Sequence, residues 1–127
     1  LLIEATRKGI LKVVPKIDGD ASAGILGVKI FLLDMVCAAT AIQIGRAPRI
    51  LVHDSQLFDS MDDRQIASCL NIGARLADQV GFQYVVTLNS DRLAAAELEG
   101  FDRRDYVIEP VLTDAGEEGG LFGFRFI

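Results

Sequence analysis

Histidine and cysteine are nearly absent from this chain: it holds one histidine, His53, and two cysteines, Cys37 and Cys69. A Cys/His zinc cage needs four such ligands, so this composition argues against one. The two thiols stand far apart, each inside an apolar helical pattern, and read as buried, reduced side chains. Positive charge is also short. Thirteen Lys and Arg face eighteen Asp and Glu, for a net charge of −5. A domain that grips nucleic acid by itself carries a basic face, and this balance argues against that role. The Arg103–Arg104 pair leaves room for a local basic patch. Internal repeats and low-complexity tracts are missing. So is any G-x-x-x-x-G-K-[ST] phosphate loop, and with it the backbone N–H groups and lysine that give most affinity for a nucleoside triphosphate. No signal peptide is recognisable, and the first residue is Leu rather than Met. The chain is therefore expected to be a piece of a longer, cytoplasmic protein.

What is present suits one globular core. The 127 residues are half hydrophobic, enough for one domain and too few for two. Gly24 to Gly45 is almost wholly apolar and invites a membrane reading. Lys29 and Asp34 weigh against it, since each costs about 2.5–3.5 kcal/mol near a bilayer centre. A helix apolar on nearly every face is also what a buried central helix looks like, and no membrane contact is expected.

The pattern predicts an α/β fold, a mostly parallel sheet flanked by helices, in the order β–α–β–α–β–α–β–β. Ile10–Ile17 reads as an extended segment with Pro15 near its end. The apolar helix follows, with Gly45 as its stop. Arg49–His53 is a short apolar run of buried-strand type. Ser60 is expected to cap a second helix, with Asp63 three residues on. One face of that helix carries Ile66, Cys69, Leu70, Gly73, Ala74, Ala77 and Val80, and Gly81 ends it. Tyr84–Leu88 is a second buried strand, and Asp91–Leu98 a short helix. Tyr106–Leu112 is a further extended segment, Thr113–Gly120 an acidic Gly-rich turn, and Leu121–Ile127 a last strand.

In parallel sheets ligands bind beyond the C-terminal strand ends. One such end carries His53, Asp54, Ser55 and Gln56; another carries Thr87, Asn89, Ser90 and Asp91. They converge if the strands are neighbours. A strand holds a terminal carboxylate such as Asp54 rigidly enough to support Mg²⁺ beside a phosphate, although an Asp that caps the next turn gives the same pattern. Ser22-Ala23-Gly24 opens the long helix, where N–H groups and the dipole favour an anion; an ordinary serine cap is the simpler account. Acidic residues in 58–65 equally suit helix initiation.

The order of these elements resembles the C-terminal lobe of the ABC-type ATPase heads in SMC-like coiled-coil proteins: signature motif, Walker B strand, D-loop, switch loop. The phrases ILVHDSQLFDSMDDRQIASCL, FQYVVTLNSD and GGLFGFRF bring it closer to a bacterial domain of unknown function at the C-terminus of such proteins. The likeness covers about Gly19 to Phe126. It implies that Ser22 and Gly24 match the signature motif, Asp54 the Walker B aspartate that supports Mg²⁺, and Met61-Asp62 the D-loop. Asn89 falls near the switch position. ATP and Mg²⁺ would bind only with an N-terminal lobe of the same protein that carries the phosphate loop. A second head would complete the site, and DNA is the partner by family analogy.

Three departures stand out. Ser55 occupies the place of the usual catalytic Glu, the switch histidine is missing, and the Asp54-to-Asp62 spacing is about one residue long. Hydrolysis would then be slow, use another residue (Asp59 or Gln56), or be absent. His53 is expected to pack rather than to act. Two other readings compete: a metal-dependent nuclease or phosphatase using Asp54, Asp59, Asp62 and Asp91, and a non-catalytic assembly domain with a degenerate site.

Overall fold

A computed structural model describes residues 2–5, 7, 9, 11–14, 22–113, 116, 119 and 120. The described chain runs β1 (Leu2–Ala5), β2 (Leu11–Val14), α1 (Ala23–Gln43), β3 (Ile50–His53), α2 (Asp63–Val80), β4 (Gln83–Val86) and α3 (Ser90–Leu98). Short 3-10 turns lie at Ser55–Phe58 and Arg103–Asp105. The fold is thus mixed helix and strand, with three helices and a small parallel sheet. β3 pairs with β4 in parallel, Ile50 opposite Gln83 and His53 opposite Val86. β1 and β2 form a separate antiparallel pair, with Leu2 opposite Val14.

Helix ends follow local chemistry. α1 closes with Gly45 in the left-handed region at φ 69°. The N–H of Arg46 then reaches Ala41 O and that of Gly45 reaches Ile42 O, which satisfies the last carbonyls. Gly81 (φ 76°) ends α2 in the same conformation. The start of α2 differs from expectation. Asp62, not Ser60, is the cap, in a full capping box: Gln65 N donates to Asp62 Oδ1 (2.8 Å) and Asp62 N donates to Gln65 Oε1 (3.0 Å). Ser60 has cap chemistry, but its hydroxyl donates to Ala23 O at 3.0 Å instead.

The core lies where α1 and α2 cross the inner face of the β3–β4 pair. Phe31, Met35 and Ile42 of α1 meet Ile66, Cys69 and Leu70 of α2, with Phe58 and Met61 from the loop between β3 and α2. Side chains of this size each contribute about 1.5–3 kcal/mol when fully buried. Gly73 lets helix and strand close up: a Cβ there would clash with the Tyr84 ring.

Several expectations are corrected. α1 is not buried on every side. Leu26, Ile30, Leu32 and Val36 are exposed, because α2 and the sheet cover only one face. By length and composition α1 is also the helix among the described residues that could cross a membrane. Neither strand is fully buried: in β3 Leu51 and His53 turn to the core, while Ile50 and Val52 are about half exposed. Cys37 is exposed and only Cys69 is buried; burial pushes the Cys69 thiol up to about 11. Tyr106–Leu112 forms no strand. It is extended in composition but has no ladder to join among the described residues. Of the expected turn at Thr113–Gly120, residues 114, 115, 117 and 118 lie outside the described residues, and Thr113 N donates to Gly119 O at 2.8 Å. The expected strand Leu121–Ile127 lies outside the described residues.

Candidate functional site

The two parallel strands end side by side, which brings their polar termini together. Thr87 N donates to His53 O (3.1 Å), and Ser55 N donates to Thr87 Oγ1 (3.2 Å). Asp54 leaves β3 and caps the following 3-10 turn. Its Oδ1 accepts from Gln56 N at 3.0 Å and, more weakly, from Ser55 Oγ at 3.4 Å. Both bonds fall on one oxygen, and Oδ2 has no hydrogen bond among the described residues. Asn89 caps α3 by backbone alone, with no side-chain capping bond, and is exposed.

A second group gathers where α1 begins. Ser22 Oγ accepts from Ile25 N at 3.3 Å, an ordinary cap, and Ser22 is exposed. Gly24 has a packing reason to be glycine: a Cβ would lie 2.8 Å from Gln65 Oε1 and 2.9 Å from Ser60 O. Gly27, one turn on, faces Met61 and Leu57 O as closely as 3.0 Å. The helix start carrying Ser22 and Gly24 is therefore pressed against the loop that carries Asp62.

The loop from Asp54 to Asp62 joins the two groups. Arg92, in the first turn of α3, reaches back to it. Its Nη1 donates to Asp63 Oδ1 at 2.7 Å, and its Nη2 donates to Met61 O and, at 3.5 Å, to Phe58 O. Sequence reasoning did not single out Arg92. Its partners lie 29–34 positions upstream, and no local pattern signals them.

Behind the strand ends sits His53, 6% exposed among Phe31, Phe58 and Tyr84. Nδ1 is 2.9 Å from the Tyr84 hydroxyl. Nε2 faces Asp34 Oδ2 at 3.5 Å, an ion-pair distance without a hydrogen bond. A carboxylate only accepts, so the proton belongs on Nε2 and the Tyr84 hydroxyl donates to Nδ1. Burial lowers the His53 pKa, against the raising effect of Asp34.

Among the described residues no three His, Cys, Asp or Glu side chains gather to hold a metal ion. Asp54, Asp62 and Asp91 each sit at the start of a helix or turn, and Asp59 is exposed. The Arg103–Arg104 patch is neutralised locally. Arg103 pairs with Glu97 at 3.3 Å and Arg104 with Asp102. The hydrogen bonds from Arg104 hold the Asp102 carboxyl down at about 2. A groove of about 330 Å³ between α1 and α2 is lined mainly by Ile25, Val28, Phe31, Leu32 and Ile72, with Arg64 and Gln65 at its polar side.

No curated protein and no solved structure matches the chain significantly. One family model matches residues 1–126, and the chain belongs to that family, DUF2326, an uncharacterised protein family conserved in bacteria.

Proposed function

We propose that this chain is the C-terminal half of an ATP-binding and ATP-hydrolysing head of the SMC-like, ABC-type class, working in the bacterial cytoplasm. The observation that carries the reading is the paired strand ends, with the Asp54–Ser55 terminus bonded to Thr87. A carboxylate held at such an end suits Mg²⁺, which takes one or two protein carboxylates and completes its shell with water and phosphate oxygens. Oδ2 of Asp54, which makes no hydrogen bond among the described residues, fits that need. Bound ATP and Mg²⁺ would supply the phosphoryl chemistry. The residues of this chain would hold the cation (Asp54), line the neighbouring strand end (Ser55, Thr87, Asn89) and present the α1 start (Ser22, Gly24) to a second head. Ser55 offers no carboxylate to orient water. Gln56 and Asp59, exposed on the same turn, are the polar groups available for it.

The bare outer face of the sheet supports the half-site part of the reading. Parallel sheets occur almost only with both faces covered, yet Ile50 and Val52 are 45% and 57% exposed. An N-terminal lobe that brings the phosphate loop would cover them. Steady-state Mg²⁺-dependent ATP turnover by the full-length protein tests the proposal. Turnover is expected in the wild type, to be lost at least about a hundredfold in Asp54→Ala, and to be absent from this chain alone. Equal turnover with and without the Asp54 carboxylate sinks it.

One observation favours a second reading, a non-catalytic assembly domain. Asp54 and Asp62 each have a structural task as caps, which would keep them in place without any nucleotide. Undiminished cellular function of the full-length protein after Asp54→Ala would favour it.

A further inference from the structure

We infer that Arg92 is a positioning residue that holds the Asp54–Asp62 loop in register with the start of α3 at Asn89. The inference rests on the ATPase reading above. Helix stability does not explain an arginine here. It stands in the first turn of α3, where the helix dipole disfavours a cation. Its role is tertiary. One guanidinium spans three acceptors, the Asp63 carboxylate and the main-chain carbonyls of Met61 and Phe58. Its planar fork matches such a set, and a lysine ammonium does not.

The loop it grips is anchored from below and from the far side. Phe58 and Met61 are 1% and 3% exposed, and Ser60 Oγ bonds Ala23 O at the start of α1. The loop thus lies between two helix starts, that of α1 with Ser22 and Gly24, and that of α3 with Asn89. A displacement at either start reaches Asp54 and Asp62 through this loop. On the α3 side, Arg92 carries the polar contacts. A surface ion pair between Arg92 and Asp63 alone would contribute little; the carbonyl bonds distinguish a clamp from a pair.

The test is kcat and KM for Mg²⁺-ATP in the full-length protein, with thermal unfolding alongside, for wild type, Arg92→Lys and Arg92→Ala. The expected result for Arg92→Lys is an intact fold, KM within about twofold and kcat reduced about tenfold or more, the pattern of a lost transition-state arrangement rather than lost binding. Unchanged kcat in a folded Arg92→Lys overturns the inference and leaves the ATPase reading standing. Unfolding of both variants also overturns it, since Arg92 is then a stability residue only. No turnover by the wild type overturns both.

Discussion

His53 shows how one residue can be chemically conspicuous and structurally occupied. It precedes the candidate Mg²⁺ carboxylate, yet its ring is enclosed by Phe31, Phe58 and Tyr84. Burial outweighs the neighbouring Asp34 charge and lowers its pKa. The native state therefore binds this proton less readily than the unfolded chain, whose histidine titrates near pH 6.5. Stability is full above that value and declines as pH falls from about 6.5 towards the lowered native pKa. Urea unfolding midpoints of wild type and His53→Gln between about pH 5 and 8 check this. The acid-side decline should flatten in His53→Gln; an identical slope would count against the account. At this scale the sequence was partly legible. Strand alternation turned His53 inward, as read. The convergence of Asp34, Tyr84 and two phenylalanines on it came from elements up to 31 positions away, and no local pattern carries that.

Elements were read best where their signals are local. Gly45 and Gly81 stop α1 and α2 through left-handed backbone, and the apolar face of α2 emerged from its spacing. The cap of α2 stands two residues past the predicted Ser60, whose hydroxyl bonds Ala23 O, 37 positions upstream. Arg92 was invisible for the same reason. Tyr106–Leu112 misled in the other direction: its β-branched composition promises a strand, but a strand also needs a neighbour. Where elements do meet, the fit is tight enough to predict from. Gly73 puts α2 against Tyr84 with no room for a methyl group. Gly73→Ala, which favours the isolated helix, should nonetheless destabilise the protein by about 1–3 kcal/mol through overpacking. Denaturant unfolding measures it, and relief by Tyr84→Leu would identify the ring as the obstacle.

The molecule as a whole is unevenly finished. One sheet face is packed by two helices, and the other presents Ile50 and Val52 to solvent. An exposed substitution far from special features changes stability by about 0.5 kcal/mol or less. Val52→Asp should therefore be nearly silent in this chain alone. In the full-length protein, where the proposal covers that face, a buried unpaired charge should cost several kcal/mol. Thermal unfolding of both proteins separates the cases, and an equally mild effect in each would mean that nothing covers the face. The separate β1–β2 pair was only half foreseen. The sequence predicts the extended segment around β2 but not its antiparallel partner β1, because four residues, one of them Glu4, carry too little pattern to mark a strand.

Gly24 and Gly27 carry a last consequence, for how the family's history should be read. Both positions are closed by volume: a methyl group at either meets the loop from Leu57 to Ser60, Met61 or Gln65. Drift at these two sites is therefore limited by packing whether or not a nucleotide ever visits. Invariance of Gly24 among relatives would record a steric ceiling and should not be counted as a vote for a ligand. Ser22 is different. Among the described residues its hydroxyl serves the first turn of its own helix, a task that Asp, Asn or Thr performs as well. A lineage that had kept serine there, and refused those equivalents, would be preserving something other than the fold.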